Sequence, residues 1–243
     1  MEKLTKKEKK EAKKQEWQEK FKKQEQNRRL KSFGIWATAA LVLIVAVYGL
    51  IQIANSPQVT STSSGKLPQV TKEDPTTGNP NAKVTLVEYA DFQCPACAAY
   101  HPLVKQLLAD YKNKIYFVYR YFPLTQVHQN AMISAQAAFA AGLANKFWEM
   151  HDMLFETQNS WANSQKARET FIDYAKKLNL DIDKFTKDID STEAKNFITD
   201  TSNKGTAIGI NSTPTFFING SKIQNPQTYN DFKSLIENEI NKK

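Results

Sequence analysis

The chain has 243 residues, 41% of them hydrophobic, enough for one medium globular domain with an appendage and for a core that needs no disulfide staples. Its net charge of +8 is unevenly spread: residues 1–32 carry 13 Lys/Arg against 6 Asp/Glu, and the remainder 20 against 19. The basicity therefore belongs to a tail, which removes the argument for nucleic-acid binding by the folded part.

Lys3–Lys31 mixes Lys, Glu and Gln without an apolar stripe wide enough for a core. Trp17 and Phe21 lie one helical turn apart, so this segment reads either as a solvated, partly helical tail or as a helix resting on a membrane surface. Phe33–Ile53 then runs for 21 residues without a charge, the length of a helix crossing a bilayer. A cleaved leader has a shorter apolar region, roughly 7–15 residues, and Gln52-Ile53-Ala54 is a poor cleavage match. The expectation is an uncleaved single-pass anchor over 33–53. The basic tail 1–32 stays cytoplasmic and everything after Ile53 is extracytoplasmic. Segment 54–77, rich in Ser, Thr and Pro, reads as a linker, and a globular domain is expected over 78–243.

Within that domain Lys83–Ala90 is an apolar, β-branched run expected as a buried strand, and Cys94–Tyr111 a helix bent at Pro102. Lys114–Tyr121 predicts a second strand. Helices are predicted over His128–Ala144, Lys146–Phe155, Gln165–Leu178, Asp181–Lys187 and Thr192–Ile208. Thr215–Ile218 reads as a strand turning at Asn219-Gly220 into Lys222–Ile223, and Asn230–Asn241 as a closing amphipathic helix. The order predicts an α/β sheet carrying a large helical insertion, at about 125–208.

The only two cysteines form Cys94-Pro95-Ala96-Cys97 at a predicted strand–helix junction. A cysteine at a helix N-terminus meets unpaired N–H groups and the positive end of the helix dipole, which favour the thiolate. Two intervening residues keep the second sulfur within bonding reach, and Pro95 at the first turn costs no helical hydrogen bond. Cys94 is thus expected as an exposed nucleophile and Cys97 as the resolving thiol. The pair admits other readings. Zinc lacks ligands: Cys97 and His101 share a helix face, but only His128 and His151 remain to complete a set. Haem attachment wants His where Ala98 stands. A structural disulfide stays open, although closing so short a loop stabilises little. No cofactor or metal is expected, and His128 and His151 read as helix-surface or packing residues. Two glycosylation sequons, Asn211-Ser-Thr213 and Asn219-Gly-Ser221, are discounted because they flank the loop described next.

Glu88-Tyr-Ala-Asp-Phe-Gln-Cys94-Pro-Ala-Cys97 resembles the active-site strand and loop of the DsbA-like branch of the thioredoxin superfamily. Ser212-Thr213-Pro214-Thr215-Phe216-Phe217-Ile218-Asn219-Gly220 is similar to that family's cis-proline loop and following strand. Tyr119–Pro123, the Ala-rich helices and Lys146–Asp152 resemble its helical insertion. The resemblance implies a thioredoxin-like core sheet with an inserted helical domain and disulfide exchange on exported proteins. It implies a redox pair at Cys94 and Cys97, and substrate-binding positions at Thr213 and Pro214. It also implies a proton-relaying acid at Glu88, unless that residue faces outward from its strand. His101, two turns along the helix from Cys94, is a candidate modulator of the thiolate or a surface histidine. The expected partners are unfolded or folding exported protein thiols and a membrane or extracellular redox protein that recycles the pair. Oxidases of this group often carry His or another polar residue between the cysteines, where this chain has Pro95-Ala96, so a reductase or isomerase stands as the alternative, with a tethered binding module or holdase as a third.

Overall fold

A computed structural model of the protein describes residues 65–242. The basic tail, the expected span 33–53 and the first part of the linker, residues 54–64, lie outside the described residues. Among the described residues no helix is long and apolar enough to cross a membrane.

In chain order the elements are β1 (Thr76–Gly78), β2 (Val84–Ala90), α1 (Pro95–Asp110), β3 (Ile115–Tyr121), α2 (Ala131–Gly142), α3 (Phe147–Glu156) and α4 (Gln158–Trp161). They continue with α5 (Ala167–Lys177), α6 (Ile182–Ile189), α7 (Thr192–Ala207), β4 (Thr215–Ile218), β5 (Ser221–Lys222) and α8 (Tyr229–Asn241). The strands form one mixed sheet in the order β1-β3-β2-β4-β5. β2 and β3 pair in parallel, Glu88 opposite Tyr119, while β4 runs antiparallel to β2, Glu88 opposite Phe216. β2 is apolar almost throughout rather than alternating because helices or loops cover both its faces. Val84 and Leu86 pack with Val104 and Leu107 of α1 and with Phe232 and Ile236 of α8. Val87 and Tyr89 point the other way, into a cluster with Phe122, Ile210 and Phe217.

Helices α2–α7 lie between β3 and β4 and bury their own cluster, including Met150, Leu154, Trp161, Phe171 and Ile198, continuous with Cys97 and Tyr119. α7 returns to the sheet at Gly205, where an added Cβ would lie 2.9 Å from Tyr89 and 3.0 Å from Phe122. The Asn219-Gly220 turn has positive φ at both residues, 49° and 83°, as a primed hairpin turn demands. α1 continues through Pro102 to Asp110.

Three boundaries differ from the sequence reading. Residues 65–78, read as the end of a linker and start of the domain, are part of the folded body. β1 pairs with β3, Leu67 and Val70 pack against the sheet, and the Arg120 guanidinium donates to the carbonyls of Pro68 (2.9 Å) and Gln69 (3.0 Å). Arg120 is itself buried, paired with Asp74 at 3.2 Å and donating to the Tyr89 hydroxyl at 2.9 Å. A polar, proline-containing strap held by one buried cation leaves no periodic pattern to read. His128 stands in the turn before α2, not on a helix, because its ring engages Asp91 (below) and the helix begins at Ala131. The short helix α4 was not predicted; its Gln158 and Trp161 are buried by contacts far away in sequence.

Candidate active site

β2 ends at Ala90, and four residues later the chain turns into α1. Cys94 is the N-cap residue with extended backbone (φ −69°, ψ 121°), and Pro95 fills the first helical position. Both thiols are free, so the dithiol state is the one described. Cys94 was expected to be exposed; the structure leaves it only 7% exposed, because the loop carrying Thr213 covers it, and Cys97 is fully buried. Pro95 and Ala96 are the exposed members of the motif.

Opposite the pair stands the turn into β4. The Thr213–Pro214 peptide bond is cis, and the Cys94 thiol donates to the Thr213 carbonyl at 3.4 Å. The Thr213 hydroxyl is buried and has no partner of its own in the dithiol, so it is free to turn toward a thiolate. The Cys94 pKa falls to about 5. Its largest cause is a hydrogen bond from the Cys97 thiol; burial opposes, and Thr213 and the backbone N–H groups of Cys97 and Ala96 add to the effect. Burial pushes the Cys97 thiol well up, and negative charge on Cys94 or Glu88 pushes it further. One sulfur is therefore poised as a thiolate and the other as a thiol.

Glu88 does not face outward. It is 3% exposed, and burial raises its carboxyl to about 8, with the Cys94 charge adding to the shift. The even-numbered side chains of β2 point toward α1, which places this acid beneath the pair. His101 is buried rather than at the surface. Its ring stacks on Phe155 and meets His151 edge-on, and its ion-pair neighbours are Asp152 and Glu156 on α3. Those partners all lie on α3.

A second set of residues, absent from the sequence reading, holds the loop before Cys94. Asp91 is buried; its carboxylate accepts from the Gln93 N–H (2.8 Å) and the Leu124 N–H (2.9 Å) and meets His128 Nδ1 at 2.6 Å. Gln93 donates to the Ala162 carbonyl and accepts from the Asn130 N–H, each at 2.6 Å. Gln158 of α4 donates to the carbonyls of Phe92 (2.7 Å) and Cys94 (3.0 Å). The inserted helices thus clamp the backbone that carries the nucleophile. Asp91 and Gln93 were visible as polar residues inside an otherwise apolar strand-to-helix passage. Asn130 and Gln158 carry no sequence signal, since their role depends on contacts 37 and 64 residues away.

Comparison with known proteins agrees with this architecture. A family model described as Thioredoxin matches residues 70–238. Among solved structures, oxidised BdbD from Bacillus subtilis superposes with a TM-score of 0.64 at 24% identity, covering 73% of this chain and 97% of that one. α-DsbA1 of Wolbachia pipientis gives 0.65 at 20% identity, covering 72% and 94%. A thioredoxin-like oxidoreductase from Silicibacter pomeroyi gives 0.58 at 26% identity, covering 69% and 92%. A curated relative named Na(+)/H(+) antiporter NhaA 3, from Salinispora tropica, is 38% identical over 149 residues, 61% of this chain but 22% of that protein. The chain spans about a fifth to a quarter of the length of such relatives, so the antiporter name describes those longer proteins. With the model match running from the Arg120-held strap into the final helix, the chain belongs to the thioredoxin family and carries its DsbA-like fold.

Proposed function

We propose that the protein is a membrane-tethered, extracytoplasmic thiol–disulfide oxidoreductase that oxidises cysteine pairs of exported proteins through a Cys94–Cys97 disulfide. The observation that carries this reading is the asymmetry of the pair. A Cys94 thiolate held at about 5 stabilises the reduced enzyme, and a stabilised reduced form makes the disulfide form oxidising.

A client thiolate attacks Cys94 Sγ, the S–S bond breaks, and Cys97 leaves with the electron pair. Cys97 needs a proton at once, because burial disfavours its thiolate. Glu88, protonated up to about pH 8 under the pair, supplies it. A second client thiolate then attacks the client sulfur, and Cys94 leaves as a stable thiolate. The client loses two electrons to the enzyme and its two thiol protons to solvent, from which Glu88 regains the one it gave to Cys97; a membrane or extracellular redox partner must then remove the electrons. The Thr213 backbone beside Pro214 offers an extended client segment a place to pair beside the reacting sulfur. The charge-free run 33–53 behind a basic tail supports the tether and the outward orientation.

Equilibration with glutathione tests the direction. A potential well above the roughly −270 mV of a cytoplasmic thioredoxin is expected; a value at or below it would instead support the reductase alternative. For the orientation, a membrane-impermeant thiol reagent should label Cys94 in intact cells after mild reduction. Labelling only after lysis would reverse the assignment.

A further inference from the structure

His101 and His151 come from different elements, α1 and α3, and disulfide exchange accounts for neither. Their rings meet edge-on with centroids 5.2 Å apart. The side chains are only 7% and 6% exposed, and Nε2 of each lacks a hydrogen-bond partner. A buried imidazole nitrogen ordinarily finds a partner, and the His101 orphan, which faces the acids of α3, is the one that an ion held here would satisfy. The His101 Nε2 is aimed at acids: it lies 3.7 Å from Asp152 Oδ1 and 3.9 Å from Glu156 Oε1. Asp152 Oδ1 is also 3.0 Å from His151 Nδ1, and one ligand atom from each of His101, His151 and Asp152 falls within 4.8 Å of the others.

We propose that His101, His151 and Asp152 form a binding site for a borderline divalent transition-metal ion, zinc(II) foremost, which ties α1 to α3 beside the redox pair. Two imidazoles and one carboxylate select zinc, copper(II) or nickel(II) over calcium and magnesium, which demand oxygen ligands. Around a tetrahedral ion with bonds of about 2.0 Å, ligand atoms stand about 3.3 Å apart. The separations of 3.0 and 3.7 Å bracket that value, and side-chain rotation closes the widest one.

The charged groups around the cluster set its character. Lys105 Nζ sits 2.8 Å from Asp152 Oδ2 and 2.8 Å from Glu156 Oε1. It occupies the carboxylate oxygen that faces away from the imidazoles and leaves Oδ1 to the ion, while its charge weakens binding. With three protein ligands, the fourth position falls to water or to Glu156, as in open rather than closed zinc sites. Entry is available, since His101 lines a surface cavity of about 510 Å³ together with Pro95, Ala98, Pro102 and Glu156. That cavity reaches the residue next to Cys94.

The test uses the full chain in detergent with Cys94 and Cys97 oxidised, so that no thiolate can ligate. Zinc chloride is titrated against a chromophoric chelator. One ion per chain is expected, with affinity reduced at least tenfold by Asp152→Asn and by His101→Gln, increased by Lys105→Met, and unchanged by His128→Gln, the one other histidine. Zinc should also raise the Tm of the wild type and not that of Asp152→Asn. Asp152 has a 34% exposed side chain, so its variant carries the test if the buried His101→Gln chain fails to fold. No zinc bound by the oxidised wild type, or binding that Asp152→Asn leaves within twofold, would overturn the site.

Discussion

Burial keeps Glu88 protonated to about pH 8 in the folded chain, whereas an unfolded glutamate releases its proton near 4.5. Between those values the folded state holds more protons, so this residue makes stability fall as pH rises. The oxidised protein has no thiols to titrate, which isolates the effect. Thermal unfolding of oxidised wild type and Glu88→Gln between pH 5 and 8 should show the wild type losing ground by up to about 1.4 kcal/mol per pH unit. Parallel curves would mean that Glu88 is ionised. The same variant should slow Cys97 departure and remove an inflection near pH 8 from the exchange rate. Cys94 has the opposite sign. Its folded pKa of about 5 lies below the ordinary 9.0, so the unfolded chain binds more protons across that window and the reduced form gains stability as pH rises. Calorimetry of both redox forms should show the reduced-minus-oxidised gap widening from pH 5 upward. A gap independent of pH would remove the thiolate argument for the oxidase direction.

At the scale of elements, the inserted helices act through a few side-chain amides. Gln158→Leu keeps approximate volume but leaves the Phe92 and Cys94 carbonyls unpaired, with an expected cost of about 1–3 kcal/mol. Urea denaturation measures that cost, and a loss within 0.5 kcal/mol of zero would show that the clamp is idle. For comparison, α8 opens with a capping box in which the Thr228 hydroxyl accepts from the Asp231 N–H and the Asp231 carboxylate accepts from the Thr228 N–H. Thr228→Ala should cost about 1 kcal/mol while leaving exchange rates unchanged. These contrasts explain what the sequence could convey. β2, β3, α1 and β4 were readable because their apolar runs are local and their motifs contiguous. Cys94 and Cys97 were legible as a contiguous motif at a strand–helix junction, whereas Thr213 and Pro214 stood out only through the resemblance of the loop before β4. The clamp through Gln158 and Asn130 and the burial of His101 were not, because each depends on an element brought in from elsewhere in the chain. Residues 65–78 were misplaced for the same reason: carbonyls offered to Arg120, the Asp74 ion pair and the pairing of β1 with β3 all join them to residues far along the chain.

At the scale of the molecule, that strap closes the far edge of the sheet. Asp74→Asn would strand the buried Arg120 guanidinium, with an expected loss of about 3–5 kcal/mol and new proteolytic cleavage between Pro68 and Asp74. Retained protease resistance would show that the backbone carbonyls alone suffice to hold it. A different consequence follows from the insertion of α2–α7 between β3 and β4. Glu88 of β2 pairs with Phe216 of β4, and all of the inserted helices lie between them in the chain. During synthesis β1, β3 and β2 can assemble early, but one side of β2 stays an open edge until nearly the whole chain has emerged. In that interval the two cysteines already exist while Thr213 does not yet face them. The reactive sulfur therefore meets its covering loop only when β4 docks, so a strand made late in the chain is the one that completes the chemistry.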